Sequence, residues 1–174
     1  NMSKTESVCM HVSLEVDGVM ADFNKAAIKE LGMHPREYEK HHGQDSFWKR
    51  IYAVDNFFFE LELMHDAYDL FNGVKQLGFN PTFLTGLPRS EGFTVPADKQ
   101  KQMWIEKHFP GSPVICCKSK NKYLHMKHHG DVLIDDWVKY MKIWQNAGGK
   151  FILHKNAKDS LTELKEYIKQ KEIK

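Results

Sequence analysis

Five short apolar runs set the frame of this chain: Val8 to Val16, Pro81 to Thr85, Val114 to Cys117, Val132 to Ile134 and Phe151 to His154. Each has the length of a strand, and the segments between them carry helical rather than alternating periodicity. "FNGVKQLGF" places Phe71, Val74 and Leu77 at three-residue spacing and ends in Gly78. "ADKQKQMWIEKHF", from Ala97, predicts a helix with Met103, Trp104 and Phe109 facing inward, stopped by Pro110-Gly111. "KYLHMKHHG" predicts a shorter helix closed by Gly130. The tail "KDSLTELKEYIKQKEIK" sets Leu161, Leu164 and Ile168 on one stripe, with Ser160 and Glu163 at capping-box spacing. Strands separated by helices pair in parallel, because a parallel connection has to cross over the sheet. The expected fold is therefore α/β, a parallel sheet flanked by helices.

One stretch breaks the rhythm. From Asn24 to about Asp69 there is no buried strand pattern, only helical patterns rich in rings: Tyr38, Phe47, Trp48, Tyr52, Phe57, Phe58 and Phe59. Residues 24–69 read as a helical insertion after the first strand, with 8–23 and 70–174 forming the α/β core. Its rings are either a small core for the insertion or a lid facing a site.

Composition removes several classes of function. With 174 residues, 41% of them hydrophobic, the chain can bury a sizeable core. Twenty-five Lys and Arg against 23 Asp and Glu leave a formal charge of +2, so no global field holds the chain to nucleic acid or an anionic membrane. No apolar run approaches the roughly 20 residues that span a bilayer. The polar start "NMSKTES" lacks a signal-peptide core. A soluble, cytoplasmic protein is expected. Cys9, Cys116 and Cys117 lack zinc-ligand spacing and read as buried free thiols. The paired histidines His41-His42 and His128-His129 diverge on a helix or a strand, which favours solvated side chains over metal ligands.

Ligands of an open parallel sheet gather beyond the carboxyl ends of its strands. The first strand ends in Glu15, Asp17 and Gly18, the second in Thr85 and Gly86. Lys118, Lys120 and Lys122 follow the third, and Asp135 and Asp136 end the fourth. Carboxylates from two loops can hold Mg²⁺, which takes oxygen ligands and retains water and substrate phosphate. A Thr hydroxyl, exposed backbone N–H groups and a Lys ammonium suit the other phosphate oxygens.

Taken in order, "EVDGVMADF", "FLTGLP", a Lys before a short helix, and "GDVLIDD" resemble the four motifs of the haloacid-dehalogenase superfamily. Within it they are most similar to the 5'(3')-deoxyribonucleotidase group, and "DKQKQMWIEKHFPG" resembles that group's Lys-xx-Trp helix. The resemblance implies a Rossmann-like core with a helical cap. It also implies a Mg²⁺-dependent phosphomonoesterase working through an acyl-phosphate on a small phosphorylated substrate, a nucleoside monophosphate by analogy. Carried over by position, residue 15 is the nucleophile and Asp17 the general acid/base. Glu15, the Asp17 carbonyl, Asp135 and Asp136 are the metal ligands. Thr85 and Gly86 bind phosphate together with a lysine, Lys122 ahead of Lys120 and Lys118. Phe23 lies against the base, and Trp48, Phe57 and Phe58 complete the pocket.

Residue 15 departs from the motif, which has Asp there. Glu15 keeps the charge but reaches roughly an ångström further, a displacement that can cost about a hundredfold when attack requires a near-in-line contact. Two functional classes follow: a phosphatase with a Glu nucleophile, or an impaired relative that binds a nucleotide or phosphate. A third, nucleic-acid binding through "KSKNKYLHMK", is disfavoured because Tyr123 and Leu124 fit a helix with one buried face. Oligomeric state is not legible.

Overall fold

The computed structural model describes residues 9–88 and 92–173. Five strands, β1 (Val12–Leu14), β2 (Thr82–Gly86), β3 (Val114–Cys117), β4 (Val132–Asp135) and β5 (Lys150–Leu153), form one sheet in the order β3-β2-β1-β4-β5. Every neighbouring pair is parallel. Apolar residues on both faces of the central strands make this possible: Val12, Leu14, Phe83, Val132 and Ile134 are buried on one face, and Leu84 and Leu133 on the other. The α/β class read from the sequence is the one observed.

Helices α1 (Phe23–Leu31), α2 (Pro35–Tyr52) and α3 (Ala67–Gln76) lie between β1 and β2. Helix α4 (Ala97–His108) precedes β3, α5 (Met141–Asn146) precedes β5, and α6 (Ala157–Ile173) closes the chain. The insertion does not keep a core to itself. Tyr38, Phe47, Ile51, Phe57 and Phe58 belong to the same buried cluster as Val12, Leu14 and Phe83. Among the described residues no helix is long and apolar enough to cross a membrane.

Several local expectations are corrected. Strand β1 is shorter than Val8 to Val16; Val8 lies outside the described residues, and the chain turns at Val16, whose carbonyl accepts the N–H groups of Met20 and Ala21. The helix expected after β3 is a 3₁₀ turn, Ser119–His125. Beyond it, the Asp131 carboxylate accepts the N–H groups of Lys127 and His128, bonds a longer helix would have used within itself. Ser160 does not cap α6, which starts at Ala157. The side chain of Asn156 accepts from Asp159 N–H, the Asp66 carboxylate takes Ala157 N–H, and Ser160 Oγ bonds His154 Nδ1 at 2.7 Å. On α4, Met103 points outward while Ala97, Gln100, Lys101, Trp104 and Ile105 form the buried stripe. Cys9 is exposed, and Cys116 and Cys117 are half-buried rather than buried. Burial pushes the Cys116 thiol up to about 11, against any role as a thiolate. His41, His42, His128 and His129 are exposed, as solvated side chains are.

Candidate active site

The loop after β1 is built to turn sharply under the sheet's rim. Its Gly18 has φ +82°, and a Cβ there would lie 2.0 Å from Asp136 Oδ2, so this position needs both left-handed backbone and no side chain. That approach brings the loops after β1 and β4 together. Thr85 and Gly86 end the adjacent strand β2, and Lys122 is carried on the 3₁₀ turn after β3. Four elements thus deliver their polar residues to one edge.

Lys122 is the hub. Its Nζ donates to the Glu15 carboxylate and, at 2.8 Å, to Asp135 Oδ2. All three side chains are buried. Burial alone would push the Glu15 carboxyl up, but the ammonium groups of Lys122 and Lys101 outweigh it and hold it below its ordinary value. Burial likewise opposes charge on Lys122, yet Glu15 and Asp135 keep it protonated, with its pKa raised. Glu15 is also held by the backbone: Oε1 accepts Val16 N–H at 2.7 Å and Oε2 accepts Gly86 N–H at 3.3 Å. Asp135 Oδ1 accepts the N–H of Trp137.

Asp17 has a different cation, the lysine of the Lys-xx-Trp pattern, to which sequence reasoning gave no role in the site. Lys101, on α4 and 1% exposed, donates to Asp17 Oδ2 at 2.7 Å, to Thr85 Oγ1 at 3.0 Å and to the Gly86 carbonyl at 2.7 Å. Its ammonium lies 4.6 Å from the centre of the Phe58 ring. Despite Lys101, burial leaves the Asp17 carboxyl above its usual range. The available signal was the position of Lys101 on the stripe of Ala97, Trp104 and Ile105, where a charge has to be paired. Among the described residues no lysine pairs with Asp136. Burial, with Asp135 and Glu15 beside it, pushes its carboxyl up to about 7.

A cavity of about 680 Å³ opens over this rim and is bounded by the insertion. Glu15, Asp17, Gly86, Asp135 and Asp136 form its floor, while Phe23, Trp48 and Phe58 supply aromatic wall. Phe57 is not part of that wall; it is buried edge-on against Phe23 and Phe58, at 5.6 and 5.5 Å between ring centres. Lys118 and Lys120 stay exposed at the mouth, in contrast to the buried Lys122. Lys122 and Thr85 do not line the cavity; they are buried behind its floor, Lys122 engaged by Glu15 and Asp135 and Thr85 by Lys101.

The fold places the chain in a class. The solved structure of a hydrolase from Streptococcus pneumoniae TIGR4 superimposes with a TM-score of 0.52 at 12% identity, over 91% of this chain and 100% of that one. A candidate β-phosphoglucomutase from Thermotoga maritima gives a TM-score of 0.48 at 15% identity, over 90% and 99% of the two chains. No family model matches the sequence, and neither does any curated protein. The likeness to the streptococcal structure is one of fold, a parallel α/β sheet flanked by helices, here with helices inserted after the first strand.

Proposed function

We propose that the protein is a Mg²⁺-dependent phosphomonoesterase acting on a small phosphorylated substrate, with nucleoside monophosphates the first class to test. The observation that carries this reading is the convergence of Glu15, Asp17, Gly86 and Asp135 on one cavity floor, with buried Lys122 bridging Glu15 and Asp135 behind it. The aromatic wall of Phe23, Trp48 and Phe58 supports a planar base as the group attached to the phosphate.

The donor set suits magnesium. Four carboxyl groups, Glu15, Asp17, Asp135 and Asp136, face two buried ammonium groups, Lys101 and Lys122, so acids outnumber cations at this rim. Among the described residues no three His, Cys, Asp or Glu side chains form a ready-made metal cage. That fits an ion that uses one or two carboxylates and completes its shell with water and phosphate. One or two of Glu15, Asp135 and Asp136, with the Asp17 carbonyl, would hold it, and it would supply charge for the phosphate oxygens.

In the proposed reaction a Glu15 carboxylate oxygen attacks phosphorus and forms an acyl-phosphate, while the ester P–O bond breaks. The leaving alkoxide takes the proton of the Asp17 carboxyl, which burial keeps available. Asp17 then removes a proton from water, the resulting hydroxide attacks phosphorus, and inorganic phosphate leaves with Glu15 restored. Lys101 orients Asp17, and Lys122 neutralises the phosphoryl oxygens.

Phosphate release from an aryl phosphate and a nucleotide panel, with Mg²⁺, tests this in the native chain and in Glu15→Asp. Glu15→Asp should raise kcat/KM by up to about a hundredfold, since it restores the shorter reach. If it is inert on every substrate, the phosphatase reading falls. The engagement of Glu15 by Lys122 and two N–H groups favours a second reading, a phosphate- or nucleotide-binding protein. An inert native chain beside an active Glu15→Asp protein would select it.

A further inference from the structure

We infer that the Glu15 carboxylate is the resting occupant of the phosphoryl cradle, an internal anion that an incoming phosphate has to displace. The inference rests on the rim being a phosphoryl site, as proposed above. Three donors from three parts of the chain converge on this one carboxylate: Val16 N–H, Gly86 N–H and Lys122 Nζ. The Thr85 hydroxyl stands beside it and helps hold its charge. Preorganised donors of this kind, main-chain N–H groups with a lysine and a hydroxyl, are what a tetrahedral oxyanion requires.

Occupancy is exclusive, because each main-chain N–H is a single donor. Val16 and Gly86 cannot serve Glu15 and a bound phosphate together. The reach of Glu is what makes the contact with Gly86 possible. An Asp at this position, one methylene shorter, would end roughly an ångström earlier along the same direction. Its carboxylate would remain near β1 and leave the donors on β2 and the 3₁₀ turn free. Glu15 also lines the cavity, so rotation of its side chain towards that space would vacate the cradle without moving the backbone. Residue 15 therefore sets how easily a phosphate enters, in addition to any role in attack.

Calorimetric titration of the full chain with inorganic phosphate in Mg²⁺ buffer tests this, with circular dichroism to verify folding of each variant. Glu15→Asp keeps the negative charge and changes only reach, so electrostatic repulsion is held constant. It should bind phosphate at least tenfold more tightly than the native chain. Glu15→Ala, which removes both charge and occupant, should bind more tightly still. Equal phosphate affinity in the native chain and Glu15→Asp overturns the inference while leaving the phosphoryl site intact. Failure of both Glu15→Asp and Glu15→Ala to bind phosphate overturns the inference and the proposed function together.

Discussion

Lys101 and Lys122 divide the carboxylates of the rim between them, and the two lysines differ in how visible they were. Lys122 stands directly before an apolar "YLHM" stretch at the end of a strand, where polar residues interrupt a buried pattern. The same interruption exposes Asp17, Thr85 and Asp135. Lys101 sits among Lys99, Gln100 and Gln102, and its charge reads as solvated surface until the helix is seen packed against β3, with Lys101 reaching Thr85 and Gly86 of β2. Ring direction was equally hidden: Phe57 and Phe58 are adjacent and both buried, yet only Phe58 reaches the cavity. Replacing Lys101 by Met would strand Asp17 and remove donors from Thr85 and the Gly86 carbonyl. A loss of about 2 to 3 kcal/mol is expected, below the full cost of breaking a buried pair because Asp17 keeps 23% side-chain exposure. Urea unfolding of Lys101→Met, Asp17→Asn and the double variant would measure it. Coupling of the two substitutions is the expected result, and simple additivity would show that Lys101 acts through other contacts.

Strands were the most legible elements, because short buried runs of Val, Ile, Leu and Phe bounded by polar residues have few alternatives. Helix ends were less so. Ser160 and Glu163 satisfy a capping pattern by spacing, but the chain starts α6 earlier, where Asp66, 91 residues upstream, accepts Ala157 N–H. No local pattern encodes that partner. Loops follow the same rule, and the turn after β1 gives a test. Gly18 and Gly32 both have positive φ, +82° and +76°, so alanine at either place carries a left-handed penalty of roughly 1 to 2 kcal/mol. A Cβ at Gly32 meets nothing within 4 Å, whereas one at Gly18 meets the Asp136 carboxylate at 2.0 Å. Gly32→Ala should lower Tm by roughly 2 to 8 °C in a chain of this size. Gly18→Ala should cost distinctly more and disturb the rim. Equal shifts in a thermal melt would show that the β1 loop yields freely to Asp136.

At the scale of the molecule, sequence supplied the class and the parallel pairing but not the strand order, since nothing local says that β1 lies between β2 and β4. That order is what brings Glu15 between Thr85 and Asp135. The other end of β1 is polar too, and it serves stability instead of the site. His11 Nε2 lies 2.6 Å from Thr82 Oγ1, and its main-chain N–H donates to Asp131 at 2.8 Å, joining β1 to both neighbouring strands. Burial, aided by the positive charge of Lys127 and by His128 and opposed by Asp131, lowers the His11 pKa below its usual 6.5. The unfolded chain therefore binds a proton at His11 at pH values where the folded chain does not. Stability from the neutral ring is fully present above about 6.5 and is lost as pH falls from there towards the lower, folded-state pKa. One such group adds a slope of at most about 1.4 kcal/mol per pH unit. His11→Gln, which can still hydrogen-bond Thr82, should flatten the decline of the urea midpoint between about pH 7 and pH 5, while leaving stability at pH 8 less affected. An unchanged slope in His11→Gln would assign the acid sensitivity to the other lowered histidines, His108 and His154, and would remove the end of β1 from the account.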